Sequence, residues 1–405
     1  MYENFNSYSV MRYTYKGILY GQLSYYVTGL CVLVGYLLFM LSYSASKSSS
    51  TVKVFKHLFA NHVSPIRIFI FAIILLIIAI LAFGFESLRV GGPLKWMVSN
   101  PRLYNAVDSD SVESSSWLAD KFIKLSIFSS YLFWGVRLHV KRSPSKNALL
   151  ISNKGLINFL FILSLVLATA AIIHAGGRFL LFQYFAVFFI ARLIILNKRL
   201  KILPSLSLVF FGAVVLLYSR TFFKIFIYDD ALSLLDDQDN NILEHYYGVI
   251  NNYTFPFYAL NNNINYPDNS YTFFADIFTF PLNFLPSSMR PDLMVDSTSI
   301  NTYRLMGEYN RFIPSDIFSY GYINFGFLGI AFTSFLFGFI IKKLNYLLYK
   351  ENPISVILYV SVCFLIGFRI MYFDPYHFFK GSFEVLACFI ILINLKKKNK
   401  KYEKI

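Results

Sequence analysis

The chain has 405 residues, of which 56% are hydrophobic and 15% charged, and this composition indicates an integral membrane protein rather than two soluble domains. Its formal net charge is +15. In a soluble protein that excess would suggest nucleic acid as a partner, but basic residues beside apolar segments more often orient a membrane protein. The three cysteines lie inside apolar runs without a Cys-x-x-Cys pair, which argues against a disulfide framework and a structural zinc site.

Nine segments are apolar and long enough, at about 20 residues, to cross a bilayer as helices. The sequence therefore predicts an all-α polytopic membrane protein with about nine or more transmembrane helices. Residues 1–17 lack a short apolar core and a small-residue cleavage site, so we do not expect a removable signal peptide. The predicted spans are 26–44, 67–85, 123–140, 155–174, 179–197, 202–219, 321–341, 354–373 and 380–395.

The basic residues predict how these spans are oriented. One side of the membrane would hold 22 of the 37 basic residues and two of the 22 acidic residues, which leaves 15 basic and 20 acidic residues on the other side. By the positive-inside rule the first side is cytoplasmic, so the N-terminus is outside and the C-terminus inside. An even span count with a cytoplasmic N-terminus is the alternative, and it would need another span or a re-entrant segment within residues 1–25. The cytoplasmic segments are 47–67, 137–154, 192–201, 342–350 and the C-terminal tail.

Three segments fall on the outer side: 86–122, 175–178 and 220–320. The last is about a hundred residues long and is the only one with room for an extramembrane domain. Residues 231–250 have the pattern of an amphipathic helix, whereas the Asn-, Tyr- and Pro-rich run 251–271 predicts an irregular loop. The predicted organisation is an N-terminal bundle of about six spans (1–219), one large external loop (220–320) and a C-terminal bundle of three spans with a basic tail (321–405).

Arginines gather near the predicted outer ends of the spans. A guanidinium is planar and permanently charged, so it suits bidentate binding of a phosphate or diphosphate. The alternative is that each arginine reaches to the membrane interface or pairs with a nearby acid such as Asp292, Glu308 or Asp374. The residues in question are Arg178, Arg220, Arg290, Arg304, Arg311 and Arg369.

Gly176 and Gly177 precede Arg178 at an outward turn between two predicted spans. Two glycines let the backbone turn closely and expose N–H groups at the start of the next helix, where an anion is favoured. A plain turn between two helices explains the same residues equally well.

Three side chains are candidates for a general base. Glu308 lies between two arginines, where it could remove a proton from a sugar hydroxyl or orient those arginines as a structural ion pair. Asp316 is a weaker candidate because it would also cap the following helix, and His377 is weaker because it would sit at the interface. Five loop tyrosines offer faces for sugars, although tyrosines also collect at membrane interfaces: Tyr246, Tyr247, Tyr253, Tyr258 and Tyr266.

Several catalytic motifs are absent from the sequence. There is no G-x-x-x-x-G-K-[ST] phosphate loop, no H-E-x-x-H and no G-x-S-x-G. An ATP-driven pump, a membrane zinc protease and an α/β-hydrolase therefore have no support.

The order and character of these features resemble the bacterial O-antigen polymerases, the Wzy-type oligosaccharide repeat-unit polymerases. The resemblance extends to the topology of the whole chain, but it is motif-like only over 175–179, 279–292 and 302–338. Family members commonly have more spans, with both termini cytoplasmic. The topology predicted for this chain differs from that pattern in its span count and in the side on which the N-terminus lies. The glycines Gly321, Gly326 and Gly329 would serve close packing between helices equally well. The motif-like pieces are GGR, FPLNFLPSSMRPD and TYRLMGEYNRFIPSDIFSYGYINFGFLGIAFTSFLFG.

The resemblance implies a metal-independent glycosyltransferase without a cofactor, in the bacterial inner membrane and acting on its periplasmic face. It would transfer a growing glycan from undecaprenyl diphosphate to a lipid-linked repeat unit. The resemblance also implies site residues. Arg178, Arg220, Arg290, Arg304 and Arg311 would hold the diphosphate, Glu308, Asp316 or His377 would act as the base, and Gly176, Gly177 and Tyr309 would contact substrate.

The expected partners are the undecaprenyl-diphosphate-linked oligosaccharide, membrane lipid, and a chain-length regulator and flippase of the same pathway, with no nucleic acid. Two other functions stay open. An O-antigen ligase shares the chemistry and the topology. A lipid-linked oligosaccharide flippase belongs to another class, and we would expect it to have more spans, charges in the middle of those spans and short loops. The outer loop of about a hundred residues, which contains much of the polar material, disfavours it.

Overall fold

The computed structural model describes residues 22–45, 65–98, 117–142, 150, 152–175, 178–196, 242–267, 270–279, 282, 297–307, 313–345, 353–368 and 373–375. Every regular element within these residues is a helix. In chain order the helices are α1 (Gln22–Ala45), α2 (Pro65–Val90), α3 (Pro93–Val98), α4 (Trp117–Ile123), α5 (Leu125–Arg142), α6 (Lys154–His174), α7 (Arg178–Leu196), α8 (Ile242–Asn265), α9 (Ala275–Thr279), α10 (Ser297–Met306), α11 (Ile317–Leu344) and α12 (Pro353–Phe368).

Four of these helices are long and apolar enough to cross a membrane: α1, α2, α6 and α11. Helices α7 and α12 are apolar but shorter. The chain is therefore an α-helical protein whose composition and helix lengths indicate insertion in a membrane, as the sequence predicts. The predicted spans 202–219 and 380–395 lie outside the described residues, so the count of nine spans stays a prediction.

The fold divides into two compact units. The first unit comprises residues 1–49, 246–345 and 365–382, and the second comprises 50–245, 346–364 and 383–405. Helices α8 and α12 each contribute to both units.

In the second unit, α2, α5 and α6 pack around an apolar core that includes Leu76, Phe133 and Ile157. Small residues on α5 let its neighbours approach closely. Ser129 Oγ on α5 donates a hydrogen bond to a carbonyl of α2 over 2.8 Å, and a Cβ atom at Gly135 would lie 3.2 Å from the backbone of α12. Small residues at helix contacts are typical of membrane bundles, where packing rather than water exclusion drives association.

Contacts at the two ends of the second unit join helix ends that are remote in the sequence. The Arg142 guanidinium at the C-terminal end of α5 donates to the Ile195 carbonyl near the end of α7. At the opposite end, residues of 86–122 contact the end of α6, just before the 175–178 turn. Trp96 and Asp120 of the predicted outer segment 86–122 therefore lie next to His174, the last residue of α6.

In the first unit, α1 runs parallel to the later part of α11. A Cβ atom at Gly35 would lie 3.0 Å from Ser334 Oγ, and further along both helices Lys342 Nζ lies 4.8 Å from the centre of the Tyr43 ring. A parallel contact is what the predicted topology requires, because both segments were expected to cross from outside to inside.

Helix α11 is a hairpin and not a straight rod. Phe325 (φ −147°, ψ 23°) and Gly326 (φ 59°, ψ −141°) have non-helical backbone angles. Thr333 Oγ1 donates to the carbonyl of Ile317 over 3.1 Å, whereas a straight helix would separate these residues by about 24 Å. The chain therefore reverses at Phe325 and Gly326, with a short first arm before the turn and a longer second arm after it.

The two arms of α11 touch through glycines. A Cβ atom at Gly329 would lie 1.9 Å from the Gly321 carbonyl oxygen, which no side chain tolerates. The close-packing interpretation of Gly321 and Gly329 is confirmed, and the contact joins two arms of the same helix. The predicted single span 321–341 is corrected for the same reason, because Gly326 allows a left-handed turn where a continuous helix was expected.

One other sequence prediction also changes. Most of the run 251–271, predicted as an irregular loop, is the second half of α8, which continues through Pro256 to Asn265. Its asparagines are held by tertiary hydrogen bonds that local sequence does not reveal. Helix α12 covers most of the predicted span 354–373, whose residues 369–372 lie outside the described residues.

Candidate functional site

Residues 270–279 form a strap that is tied to the turn of the α11 hairpin. The backbone N–H groups of Thr272 and Phe273 each donate over 3.2 Å, to the carbonyls of Ile323 and Asn324. These two carbonyls lie where the helix breaks and would otherwise lack partners. The strap therefore supplies the hydrogen-bond donors that the carbonyls at the hairpin turn need in an apolar environment.

The strap holds an unusual backbone conformation. Phe273 (φ 52°) and Phe274 (φ 58°) are consecutive non-glycine residues in the left-handed region, each costing roughly 1–2 kcal/mol. The Asn324 side chain offsets this cost, because its Oδ1 accepts from Thr272 Oγ1 over 2.7 Å and from the Phe274 N–H over 2.5 Å. Strain that the surrounding structure enforces in this way is a feature of functional sites.

Asp276 on the strap joins three segments of the first unit. It is only 4% exposed, and it accepts hydrogen bonds from Ser297 Oγ on α10 over 2.5 Å and from Tyr320 Oη on α11 over 3.0 Å. A buried carboxylate requires such donors. Asp374 is also fully buried and follows Phe373, whose N–H donates to the Ser315 carbonyl over 2.8 Å, so a second acidic residue lies near the start of α11.

Asp316 is the N-cap of α11. Its carboxylate accepts from the N–H groups of Phe318 and Ser319 and from Ser319 Oγ, which is the geometry of a helix cap. Burial raises the pKa of Asp316 to about 6, and these hydrogen bonds limit the rise. The interpretation of Asp316 as a cap is confirmed, and its role as a base stays a prediction.

Arg304 lies inside the first unit and is 2% exposed. Its guanidinium donates to Asn263 Oδ1 over 3.3 Å and to the Ser270 carbonyl over 3.0 Å, and it lies 5.3 Å from the centre of the Tyr266 ring. These contacts hold the start of the strap against α8 and α10. They give Arg304 a positioning role in this conformation, and its predicted contact with a diphosphate stays a prediction.

Three consecutive asparagines near the end of α8 are buried and point to different neighbours. Asn261 Oδ1 accepts from Thr28 Oγ1 on α1 over 2.8 Å. Asn262 Nδ2 donates to the Arg304 carbonyl over 2.5 Å, and Asn263 Nδ2 donates to Asn301 Oδ1 over 2.8 Å. The end of α8 is thereby fixed to both α1 and α10.

The strap also presents apolar rings to the surroundings of the first unit. Phe273 is 61% exposed and Phe278 is 82% exposed, and the Phe273 ring packs edge-on against Phe325 at 4.9 Å. An exposed group of aromatic rings beside a buried polar network suits contact with lipid or with an apolar substrate tail.

A second polar cluster lies in the second unit, at the end of α6. The His174 ring stacks on Trp96 with 4.3 Å between ring centres. His174 Nδ1 donates to the Trp96 carbonyl over 2.7 Å, and Nε2 lies 3.4 Å from Asp120 Oδ1. Nearby in the chain, buried Glu86 accepts from the Arg89 guanidinium over 2.9 Å.

The described residues include only part of the predicted site. Arg304 and Asp316 belong to the first unit and are linked through α10, where Asn301 Nδ2 donates to the Pro314 carbonyl over 3.1 Å. Arg178 begins α7 in the second unit, but its side chain lies outside the described residues. Also outside them are Gly176, Gly177, Arg220, Arg290, Glu308, Tyr309, Arg311, Arg369 and His377, and the side chains of Tyr246, Tyr247 and Tyr253.

Sequence reasoning missed Asp276, Asn324, Asp120 and His174 as parts of polar clusters. Asp276 had a usable signal, since a single acid in the apolar run FFADIFTF needs a buried partner. The other three had none, because their partners are remote in the sequence. Among the described residues no group of three or more His, Cys, Asp or Glu side chains is arranged to hold a metal ion.

Comparisons with protein-family models, with curated proteins and with solved structures found no match to this chain.

Proposed function

We propose that this chain is a membrane-embedded glycosyltransferase that polymerises lipid-linked oligosaccharide repeat units on the outer face of the bacterial inner membrane. The donor is a growing glycan on undecaprenyl diphosphate, and the acceptor is the terminal sugar of a lipid-linked repeat unit. The nine-span topology and the three-region organisation are parts of this proposal.

One observation carries the proposal. The segment that resembles the O-antigen polymerases, 302–338, is the segment that folds into the end of α10, the cap Asp316 and the α11 hairpin. In a membrane protein, an interrupted helix is tolerated where it is buried in protein or lines a polar cavity. The family-like sequence therefore coincides with the part of the first unit best suited to handle a polar substrate beside lipid.

The chemistry follows from the charges in the sequence. The acceptor hydroxyl oxygen forms a bond to the anomeric carbon of the donor, and its proton passes to a carboxylate, for which Glu308 is the first candidate. The bond from the anomeric carbon to the diphosphate oxygen breaks, and the diphosphate leaves with the electron pair. Arginines such as Arg178 and Arg290 neutralise the charge that develops on it.

The direct test is deletion of the gene followed by a gel of the cell-surface glycan. Loss of a polymerase leaves a single repeat unit on the lipid A core. Loss of a ligase leaves long chains on the lipid carrier, so the two enzymes are distinguished on one gel. An unchanged ladder of chain lengths in the deletion strain would refute both.

Complementation with variants tests the assigned residues. Arg178→Ala and Arg290→Ala should each abolish the ladder at unchanged protein abundance, and Arg178→Lys is the matched variant that keeps the charge but loses the bidentate fork. Glu308→Gln should be equally severe if this carboxylate is the base. Near-normal ladders with Glu308→Gln would transfer that role to Asp316 or His377.

A specific observation favours a second candidate, a lipid-linked oligosaccharide flippase. Transporters commonly build their sites from interrupted helices and buried ionisable residues, and the first unit has both in α11 and Asp276. The same gel separates this function from the first. Loss of a flippase removes even the single repeat unit from the surface, because no substrate reaches the outer face.

A further inference from the structure

We propose that the strap, residues 270–279, lies within the lipid bilayer, and that the apolar side chains on its outer face contact the acyl chains of membrane lipids. The sequence predicts this segment as part of an extramembrane loop, 220–320. The proposal concerns the depth of the strap in the membrane and does not rest on the proposed function.

The second arm of α11 gives the depth of the hairpin turn. Lys342 and Lys343 lie at the end of this arm, and basic side chains at the end of an apolar helix reach to the membrane interface. The rise from Lys342 back to Gly326 is about 24 Å, at 1.5 Å per residue. The hydrocarbon core of a bilayer is about 30 Å thick, so the turn lies inside this core, close to the edge that is remote from the lysines.

The contact between the two arms gives the depth of the first arm. Gly321 meets Gly329 across the hairpin, so the preceding residue, Tyr320, is level with Ile330 on the second arm. Ile330 is about 18 Å from Lys342 by the same rise per residue. Tyr320 therefore lies close to the middle of a core about 30 Å thick.

The strap follows the hairpin into the core. The Phe273 N–H donates to a carbonyl at the turn, whereas Asp276 accepts from Tyr320 Oη over 3.0 Å. Ile277 and Phe278 follow Asp276 in α9. The strap therefore begins close to the edge of the hydrocarbon core and ends deeper within it.

Helix α1 gives an independent measure of this depth. It is long and apolar enough to cross a membrane over Leu23–Ala45, and it runs parallel to the second arm of α11. Val32 of α1 packs against the apolar cluster that contains Ile330. From Val32 the helix continues outward to Leu23 for about 14 Å. The level of Ile330 is therefore well inside the length of a second membrane-crossing helix.

The strap has a polar side that faces the protein and an apolar side that faces away from it. Asp276 is 4% exposed, whereas Phe273 is 61%, Ile277 47% and Phe278 82% exposed. A segment in water normally has the reverse arrangement. In a membrane, ionisable side chains face the protein interior and apolar side chains face lipid, which is the arrangement of the strap.

The exposed rings of the strap are continuous with the apolar surface of α11. Phe273 packs against Phe325 at 4.9 Å between ring centres, and Phe274 packs against Phe332 at 5.6 Å. Phe325 and Phe332 are themselves exposed, as is Phe335 further along the second arm. Because that arm crosses the membrane, the lipid that covers its exposed side chains also covers those of the strap.

An apolar patch in a water-facing loop would instead be a docking surface for another protein. Fluorescence quenching of Phe278→Trp in the full-length protein, reconstituted in phosphatidylcholine vesicles, distinguishes the two. Lipids brominated on their acyl chains quench a tryptophan in the hydrocarbon core, and iodide quenches a tryptophan in water. The emission of the three native tryptophans is subtracted with wild-type protein. We expect the added emission to be largely lost in brominated vesicles and to be protected from iodide.

The matched control is Leu33→Trp on α1. Leu33 is 53% exposed and adjacent to Val32, so it faces lipid at nearly the same depth as the end of the strap. Brominated lipid should quench Phe278→Trp and Leu33→Trp to the same extent. Thermal unfolding shows whether each variant is folded, and Ile277→Trp repeats the measurement at the adjacent exposed position if Phe278→Trp is not.

A second variant tests the direction of the strap. Phe273→Trp lies at the level of the turn, close to the edge of the core. Bromine near the head groups should therefore quench Phe273→Trp more than bromine near the chain ends does, and the preference should be reversed for Phe278→Trp. The same preference in both variants would overturn the inward course of the strap.

The outcomes decide the proposal. Strong quenching of Phe278→Trp by iodide would place the strap in water and overturn it. Weak quenching by both reagents would also overturn it, because protein would then cover the ring. Neither result bears on the polymerase, which is tested by the surface glycan of the deletion strain.

Discussion

The two units of the molecule use polar residues in opposite ways. In the second unit, helices α2, α5 and α6 pack through apolar side chains, and serines such as Ser129 bond to backbone carbonyls with little effect on helix shape. In the first unit, α11 reverses at Gly326 and depends on the strap and on Asp276 for its shape. In the bundle of α2, α5 and α6 the polar contacts add to regular helices, whereas in the first unit they define the conformation of α11.

This difference has a physical origin. A straight helix satisfies its own backbone groups, so the second unit needs only close contact between helices. A hairpin within an apolar environment leaves carbonyls without partners at its turn, and each must be paired from another segment. The first unit should therefore be the more sensitive to removal of a single polar or small residue.

The largest effect is expected from Gly329→Ala. The new methyl group would lie 1.9 Å from the Gly321 carbonyl oxygen, so the arms of α11 must separate, at a cost of about 3 kcal/mol or more in the free energy of unfolding. Thermal unfolding of purified protein in detergent measures this loss. The matched control is Gly29→Ala on α1, which meets nothing within 4 Å and should be neutral or slightly stabilising; equal losses in the two variants would rule out a tight hairpin.

The next largest effect concerns the pH dependence at Asp316. Burial raises the pKa of Asp316 to about 6 from its ordinary value of 3.8, so the folded state favours the protonated form. The stabilisation it provides is complete below about pH 4 and is lost as pH rises through 6, for a change of about 3 kcal/mol. Asp316→Asn keeps the cap and stays neutral. The variant should therefore gain stability relative to wild type between pH 4 and 7, and parallel melting curves over that range would contradict the prediction.

A smaller effect is expected from Asp276→Ala. The variant leaves the hydroxyl groups of Ser297 and Tyr320 without their common acceptor, which should cost about 2 kcal/mol. Asp276→Asn keeps an acceptor oxygen and should lose less. The measurement is the same thermal unfolding, and an unchanged melting temperature in Asp276→Ala would show that the strap is not held by this carboxylate.

The smallest effect belongs to the second unit. Ser130 Oγ and Tyr184 Oη are 2.8 Å apart between α5 and α7, and Ser130→Ala should cost about 0.6 kcal/mol, the average for hydrogen bonds between membrane helices. If this variant loses as much stability as Asp276→Ala, the contrast between the two units does not hold.

Much of the fold was predictable because length and apolarity are properties of the local sequence. The predicted spans 26–44, 67–85, 155–174 and 179–197 each correspond to a helix with ends within a few residues of the prediction. The N-cap at Asp316 was predictable for the same reason, since an acidic residue before an apolar run is a local signal. The hairpin was not predictable, because its glycines permit either a turn or a close helix contact.

The sequence by itself determined that this protein is helical, that its composition is that of a membrane protein, and where most of its helices lie, because those properties depend on runs of apolar residues. Only the tertiary structure decided that α11 reverses, that the asparagines of α8 are helical, and that His174 lies between Trp96 and Asp120. Each of these depends on partners far along the chain, and a buried polar group takes the conformation in which such a partner is within reach.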